Sequence, residues 1–137
     1  MRIGLIMSRK LRIFPHKQVL IVDSDLNQRL SLALVLKHAG YLVTTVGQAC
    51  EALDRLETGN YDLVILDIMI MDNKLTLLPA VLQRFPTTSV LVFTAQWSPE
   101  TAAEIEQLGI SAHMEKPVTP DALLECVGSI MNGPNSN

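Results

Sequence analysis

The chain has 137 residues, of which 48% are hydrophobic and 18% charged, enough apolar material for one domain with its own core. Eleven basic and fourteen acidic residues give a formal charge of −3 with no basic stripe, which disfavours direct binding to nucleic acid or an anionic membrane. No apolar run reaches the ~18 residues that span a bilayer, so we expect a cytoplasmic protein. The two cysteines lack CxxC spacing, which disfavours a zinc site.

The chain divides into three parts. Residues 1–17 are a basic, irregular leader, residues 18–132 are predicted to form one domain, and residues 133–137 form a flexible tail. Within the domain, short apolar runs alternate with longer helical patterns, which is typical of a parallel α/β sheet. Three runs are almost continuously hydrophobic, as expected for strands covered on both faces. The five predicted strands are residues 19–22, 42–46, 63–66, 90–93 and a weaker 112–114.

The helices between these runs carry clear start and stop signals. Ser98 and Thr119 each precede a proline and an acid, which predicts two helix starts. Gly40 and Gly109 follow the first and fourth helices. The third helix is expected at about residues 75–85, with Pro79 in its first turn or at a kink. We expect the surplus apolar residues of the first helix to be buried against the fifth: Leu30, Leu32, Leu34, Val35 and Leu36.

Polar side chains follow four of the five apolar runs. Ligands of such sheets bind beyond the carboxyl ends of the strands, so these side chains are the candidate site. Carboxylate oxygens suit Mg²⁺, and a carboxylate beside that ion can attack phosphorus to give an aspartyl phosphate. The second run ends in Gly47 and Gln48, which offer nothing comparable. The other four runs are followed by Asp23, Ser24 and Asp25, by Asp67, by Thr94 and by Lys116 with Pro117.

Four blocks, at residues 19–25, 62–67, 90–95 and 116–117, resemble in order and spacing those of the response-regulator receiver domain of two-component signalling, a CheY-like superfamily. The resemblance covers residues 18–131. It implies a flavodoxin-like (βα)5 three-layer sandwich. It also implies a five-stranded parallel sheet of order 2-1-3-4-5.

The resemblance further implies a signalling domain rather than an enzyme. Such a domain accepts a phosphoryl group from a histidine kinase or phosphotransfer protein, uses Mg²⁺, and relays the signal by a conformational change. Asp67 matches the phosphoacceptor, and the Lys116–Pro117 bond is expected to be cis. The phosphate and switch positions are Thr94, Ala95, Lys116 and His113. The metal ligands are Asp23, Asp67 and the main-chain carbonyl of Met69.

Three departures from the family pattern concern the same site. Ser24 replaces the second acid, and Asp25 is displaced by one position. Either residue could help to hold the metal, or Ser24 or Asp25 caps the first helix, with Gln28 completing a capping-box pattern. The loop at residues 68–74 lacks the usual proline and glycine. His113 stands where the family places an aromatic switch. We therefore expect weak Mg²⁺ binding.

Partners and alternative functions follow from the same comparison. The family's output face is formed by helix four, strand five and helix five, and we expect it to bind a downstream protein or a second copy. That face lies around Ala102, Ile105, His113 and Val118. One alternative is a receiver-like interaction module that needs no phosphorylation. A remote one is a haloacid-dehalogenase-type phosphatase with residues 23–25 as its DxD motif, against which Asn27 and the short chain both argue.

Overall fold

A computed structural model describes residues 17–67, 74–95, 98–110 and 112–132, without the side chains of 74–76. Five strands alternate with five helices, and each predicted strand is present with at most one added residue at either end. The elements are β1 (Gln18–Val22), α1 (Leu26–His38), β2 (Leu42–Val46), α2 (Ala49–Thr58), β3 (Leu63–Asp67), α3 (Lys74–Arg84), β4 (Ser89–Thr94), α4 (Pro99–Gln107), β5 (Ala112–Glu115) and α5 (Pro120–Asn132).

All five strands lie in one parallel sheet of order β2-β1-β3-β4-β5. Val19 of β1 is opposite Val43 of β2 on one side and Leu63 of β3 on the other. The predicted fold class is therefore confirmed. Because every strand runs in the same direction, the residues that end β1, β3 and β4 meet along one edge of the sheet.

Helices cover both faces of the sheet, which explains the continuous apolar runs. Alternate residues of a strand point to opposite faces. Leu20 and Val22 of β1 pack with α2, α3 and α4, whereas Val19 and Ile21 pack with α1 and α5. All four side chains are fully buried, and burial of each contributes about 1.5–3 kcal/mol. Two apolar layers thus hold the central strands in place.

The predicted helix ends are present where the described residues cover them. Ser98 caps α4 through its Oγ, which accepts from the amide of Thr101 at 3.1 Å. Gly40 and Gly109 adopt φ angles of 103° and 71°, a left-handed conformation in which a glycine is favoured. No helix within the described ranges is long and apolar enough to cross a membrane. The predicted leader, apart from Lys17, and the predicted tail lie outside the described residues.

Two positions on the helices differ from expectation. Pro79 was expected in the first turn of α3 or at a kink; it is the sixth residue of the helix, which excludes the first turn and leaves the kink a prediction. The helix lacks the hydrogen bond that a residue 79 amide would donate. Leu30 and Leu34 are 49% and 69% exposed, whereas Leu32 and Leu36 are buried. Helix geometry explains the second difference, because residues four apart share a face. The pair at 32 and 36 takes the face toward the sheet, and the pair at 30 and 34 faces water.

Candidate functional site

Three polar side chains are buried at the carboxyl edge of the sheet. Asp67 is the last residue of β3 and Thr94 the last of β4, while Asp23 follows β1 directly. Their exposed fractions are only 6%, 0% and 1%. Asp67 is opposite Phe93 in the β3–β4 register, so Thr94 lies one position further along the neighbouring strand. The sheet therefore brings together the acids and the hydroxyl that the sequence predicted as a site.

Lys116 joins the two carboxylates. Its Nζ donates to Oδ2 of Asp67 at 2.7 Å and to Oδ2 of Asp23 at 3.1 Å. The lysine reaches this position because its backbone amide donates to the carbonyl of Thr94 at 2.8 Å, which continues the pairing of β4 with β5. The Lys116–Pro117 bond is cis, as expected. One ammonium thus bridges residues that lie far apart in sequence.

The electrostatics of this triad reflect its burial. Loss of water raises the pKa of Asp23 above its ordinary value, and the nearby charge of Asp67 adds to that effect. The Asp25 amide and Lys116 oppose the shift without cancelling it. Burial alone would lower the pKa of Lys116, but its hydrogen bonds to Asp67 and Asp23 outweigh this, and the pKa lies above the ordinary value. Lys116 is therefore charged at neutral pH.

Ser24 and Asp25 both lie in the acidic loop after β1, but their side chains have different surroundings. Asp25 is the N-cap of α1, and its Oδ1 accepts from the amide of Gln28 at 3.2 Å. The Asp25 amide does not complete a capping box with Gln28 but donates to Oδ1 of Asp23 at 2.9 Å. Ser24 is exposed. Of the two alternatives for Asp25, helix capping is the one present in this structure.

Arg29 and Gly47 are part of the site's surroundings that sequence reasoning missed. Nη1 of Arg29 donates to the carbonyl of Asp23 at 2.9 Å and to that of Ser24 at 3.3 Å. A Cβ atom on Gly47 would lie 3.1 Å from the same Nη1. The contact joins α1 to the end of β2, so no local sequence pattern indicates it. The one available signal was a glycine directly after β2, the strand that no candidate site residue follows.

The remaining predicted residues are not part of the triad of Asp23, Asp67 and Lys116. Ala95 follows Thr94 and is exposed, and His113 is exposed on β5. Met69 lies outside the described residues. Ile105 was expected on the output face, but it is only 3% exposed and packs in the core beneath α4. That expectation was wrong for Ile105, because this helix turns its one large apolar residue toward the sheet.

The donor set fits a hard divalent cation. Asp23 and Asp67 supply buried carboxylate oxygens, the ligand type that Mg²⁺ takes in proteins. Two carboxylates and one ammonium leave a net negative charge at the site. Within the described ranges, no group of three or more histidine, cysteine, aspartate or glutamate side chains is arranged to hold a metal ion. The residues therefore fit Mg²⁺. They supply less carboxylate charge than a site that has an acid at position 24.

A separate cleft opens at the opposite end of the sheet. Its volume is about 650 Å³, and its walls include Gln18 at the start of β1, Tyr61 before β3 and Thr88 before β4. These residues mark the amino ends of the strands, whereas ligands of doubly wound sheets bind at the carboxyl ends. The buried, charged triad and not this cleft is the candidate functional site.

The fold is a doubly wound domain in which an aspartate ends the third strand and a lysine bridges it to an acid after the first strand, the arrangement expected above for a receiver domain of two-component signalling. The family model described as "response regulator receiver domain" matches residues 19–128. The chain belongs to that family.

Individual relatives agree with this membership. The chain is 31% identical over 121 residues to the DNA-binding transcriptional regulator NtrC of Bradyrhizobium sp. (strain RP501 Parasponia), an alignment covering 88% of this chain and 25% of that protein. It therefore spans about a quarter of that relative's length. A CheY-like receiver domain protein from Methanospirillum hungatei JF-1 superposes with a TM-score of 0.81 at 29% identity, covering 85% of this chain and 94% of the other. A response regulator from Thermotoga maritima also gives 0.81 at 26% identity, covering 86% and 99%.

Proposed function

We propose that this receiver domain accepts a phosphoryl group on Asp67 from a histidine kinase or phosphotransfer protein. The observation that carries the proposal is the bridge from Lys116 to both Asp67 and Asp23 in a largely buried site. The lysine charge is fixed where the phosphoryl oxygens of a modified Asp67 would lie. Such preorganised charge is the main requirement of phosphoryl transfer, which needs positioning and neutralisation more than covalent help.

The chemical step is a displacement at phosphorus. A carboxylate oxygen of Asp67 forms a bond to phosphorus while the bond from phosphorus to the donor's imidazole nitrogen breaks, and that nitrogen keeps the electron pair. Asp23 and Asp67 would hold Mg²⁺ with the Met69 carbonyl, and the ion would neutralise phosphoryl oxygens. Lys116 exchanges its bond to Asp67 for a bond to the phosphoryl group. Thr94 offers a hydroxyl at the end of the adjacent strand.

The modified site would then change the surface around α4, β5 and α5. Phosphorylation alters the bonds of Lys116, and Lys116 follows β5 directly. His113 is exposed on that strand, and Val118 is half-buried just beyond it. We infer that this face binds the downstream protein or a second copy of the chain. The NtrC relative is a DNA-binding regulator, but this chain spans only a quarter of it, so DNA binding is not carried over.

A second candidate function is a receiver that signals through protein contact without phosphorylation. Two observations favour it: Ser24 supplies no carboxylate, and Asp25 is engaged as a helix cap. The buried Asp67, Thr94 and Lys116 support the phosphoacceptor instead, since a pure interaction module has no need for them. Family membership also favours a receiver over the haloacid-dehalogenase interpretation.

One experiment separates these functions. The protein is incubated with acetyl phosphate and Mg²⁺, and its intact mass is measured, followed by peptide mapping of the modified residue. We expect a gain of one phosphoryl group on Asp67 and none in Asp67→Asn. An unmodified protein that stays folded at high Mg²⁺ would support the interaction module. Steady release of inorganic phosphate from a phosphate monoester would indicate a phosphatase.

A further inference from the structure

We propose that Arg29 is a positioning residue for the acidic loop at residues 23–25, and that Gly47 is required because it leaves room for the Arg29 guanidinium. The importance of Mg²⁺ binding in this proposal rests on the proposed function of Asp67, whereas the contacts of Arg29 do not depend on it. Arg29 donates from one Nη1 atom to two successive carbonyls, those of Asp23 and Ser24. The loop that carries Asp23 is thereby tied to α1.

The backbone of Asp23 is held from two directions. Its amide donates to the carbonyl of Val46 in β2 at 3.1 Å, and its carbonyl accepts from Arg29 at 2.9 Å. Its Oδ1 accepts from the amide of Asp25 at 2.9 Å. These three bonds fix where the carboxylate points. Removal of the arginine bond frees the carbonyl side of the loop, so the bond from the Asp25 amide to Asp23 should change in geometry while the bond to Val46 stays intact.

Gly47 makes this arrangement possible by having no side chain. A Cβ there would lie 3.1, 3.4 and 3.5 Å from Nη1, Cζ and Nη2 of Arg29. Among the described residues other than the chain neighbours, the three nearest atoms belong to the flexible end of one side chain, and the backbone of Gly47 is outside the left-handed region. An alanine would therefore shift the guanidinium by a few tenths of an ångström without straining the chain. Gly47→Ala is a selective way to disturb Arg29.

The position of this loop matters more here than in a site with two adjacent acids. Ser24 contributes no charge and the Asp25 carboxylate caps α1, so the charge that this loop gives to the site rests on Asp23. Outer groups that orient metal ligands typically change metal affinity by about 10- to 100-fold when they are lost. Arginine suits the task because its rigid planar fork holds Nη1 in one orientation toward both carbonyls, whereas lysine is a single point charge on a flexible stem.

The test uses Arg29→Ala, Gly47→Ala and their double variant in the full chain. The first readout is the chemical shift of the Asp25 amide, which reports its bond to Asp23. The second is the Mg²⁺ dissociation constant, followed by fluorescence of Trp97, the one tryptophan of the sequence. We expect Arg29→Ala to shift the amide and to weaken Mg²⁺ binding about 10-fold, and Gly47→Ala to act in the same direction by a smaller amount. The double variant should be no worse than Arg29→Ala, since residues in contact give non-additive effects.

Two further variants separate position from charge. Arg29→Lys keeps the charge and loses the fork, so it should fall between the native protein and Arg29→Ala. Lys37→Ala removes a charge from the exposed side of the same helix and should change neither readout. Additive effects of Arg29→Ala and Gly47→Ala, or an Asp25 amide that does not move, would overturn the proposal. A native protein that acetyl phosphate never modifies would contradict the proposed function while leaving the amide result to decide this one.

Discussion

Lys116 Nζ lies 2.7 Å from Asp67 Oδ2, although 49 residues separate the two in sequence. The side chains of Lys116 and Asp67 are only 16% and 8% exposed, and Asp23 is buried on the other side of the same ammonium. The charge of Asp67 is therefore balanced by the group that we propose binds the phosphoryl group. The lysine thus has a structural role in addition to the one proposed for it.

Substitution of Lys116 by methionine should destabilise the domain, because two buried carboxylates would lose their shared cation. Breaking a buried ion pair by removing one partner costs about 3–5 kcal/mol. We expect a loss near the lower figure, measured by urea unfolding at pH 7. The matched control is Lys116→Met with Asp67→Asn, which removes one of the stranded charges and should recover part of the loss. A loss below about 1 kcal/mol, the range of exposed pairs, would contradict a buried bridge.

Tyr41 should make stability fall at alkaline pH. It follows Gly40 at the turn into β2 and is 4% exposed, and this burial raises the pKa of its phenol above the ordinary value of 10.0. A group whose folded pKa is raised stabilises the fold below its unfolded pKa, and that stability is lost as pH rises through the folded pKa. Native protein should lose more stability above pH 10 than Tyr41→Phe, as measured by thermal melting. Equal pH slopes for the two proteins would contradict this.

Leu34 and Leu36 should differ sharply in their contribution to stability. Leu36 is fully buried against the sheet, whereas Leu34 is 69% exposed on the same helix. Leu36→Ala should lower the free energy of unfolding by about 2–5 kcal/mol. Leu34→Ala should change it by less than about 0.5 kcal/mol. Urea denaturation of both variants gives the comparison. Similar losses of unfolding free energy would contradict the burial of Leu36 and the exposure of Leu34.

The same helix shows where sequence reasoning stopped. The strands were predictable because burial on both faces makes their apolar runs nearly continuous, as at residues 63–66. On α1, apolar residues occur on more than one face, so their pattern could not tell Leu30 and Leu34 from the buried Leu32 and Leu36. Only the placement of the helix against the sheet decides which face is buried.

The site could be predicted only in part for a related reason. The strand ends identified Asp23, Asp67 and Lys116, since parallel strands gather their carboxyl ends at one edge. The role of Asp25 stayed open because capping and metal ligation need the same carboxylate. The contact of Arg29 with the acidic loop and Gly47 depends on the packing of α1 beside β2, which no local pattern of residues encodes.

The position of Ser24 leads to the last prediction, that Mg²⁺ binds weakly and that Ser24→Asp strengthens it. Two unit charges ~4 Å apart at an effective dielectric near 20 interact by ~4 kcal/mol, and desolvation of the added carboxylate removes part of this gain. We expect affinity to rise about 10- to 100-fold, with faster modification by acetyl phosphate. Asp25→Ala should leave Mg²⁺ affinity nearly unchanged and lower stability by about 1 kcal/mol, since Asp25 is the N-cap of α1.

Titration of Mg²⁺ against the native protein, Ser24→Asp and Asp25→Ala, followed by Trp97 fluorescence, decides between the two residues. Ser24→Asn is the matched control, because it adds a side chain of similar size without the charge. If Ser24→Asp leaves Mg²⁺ affinity unchanged while Asp25→Ala abolishes binding, then Asp25 is the replacement ligand. The prediction that Ser24 weakens the site is then wrong. In that case Mg²⁺ would compete with the Gln28 amide for the Asp25 carboxylate, whose Oδ1 is the N-cap acceptor in this structure.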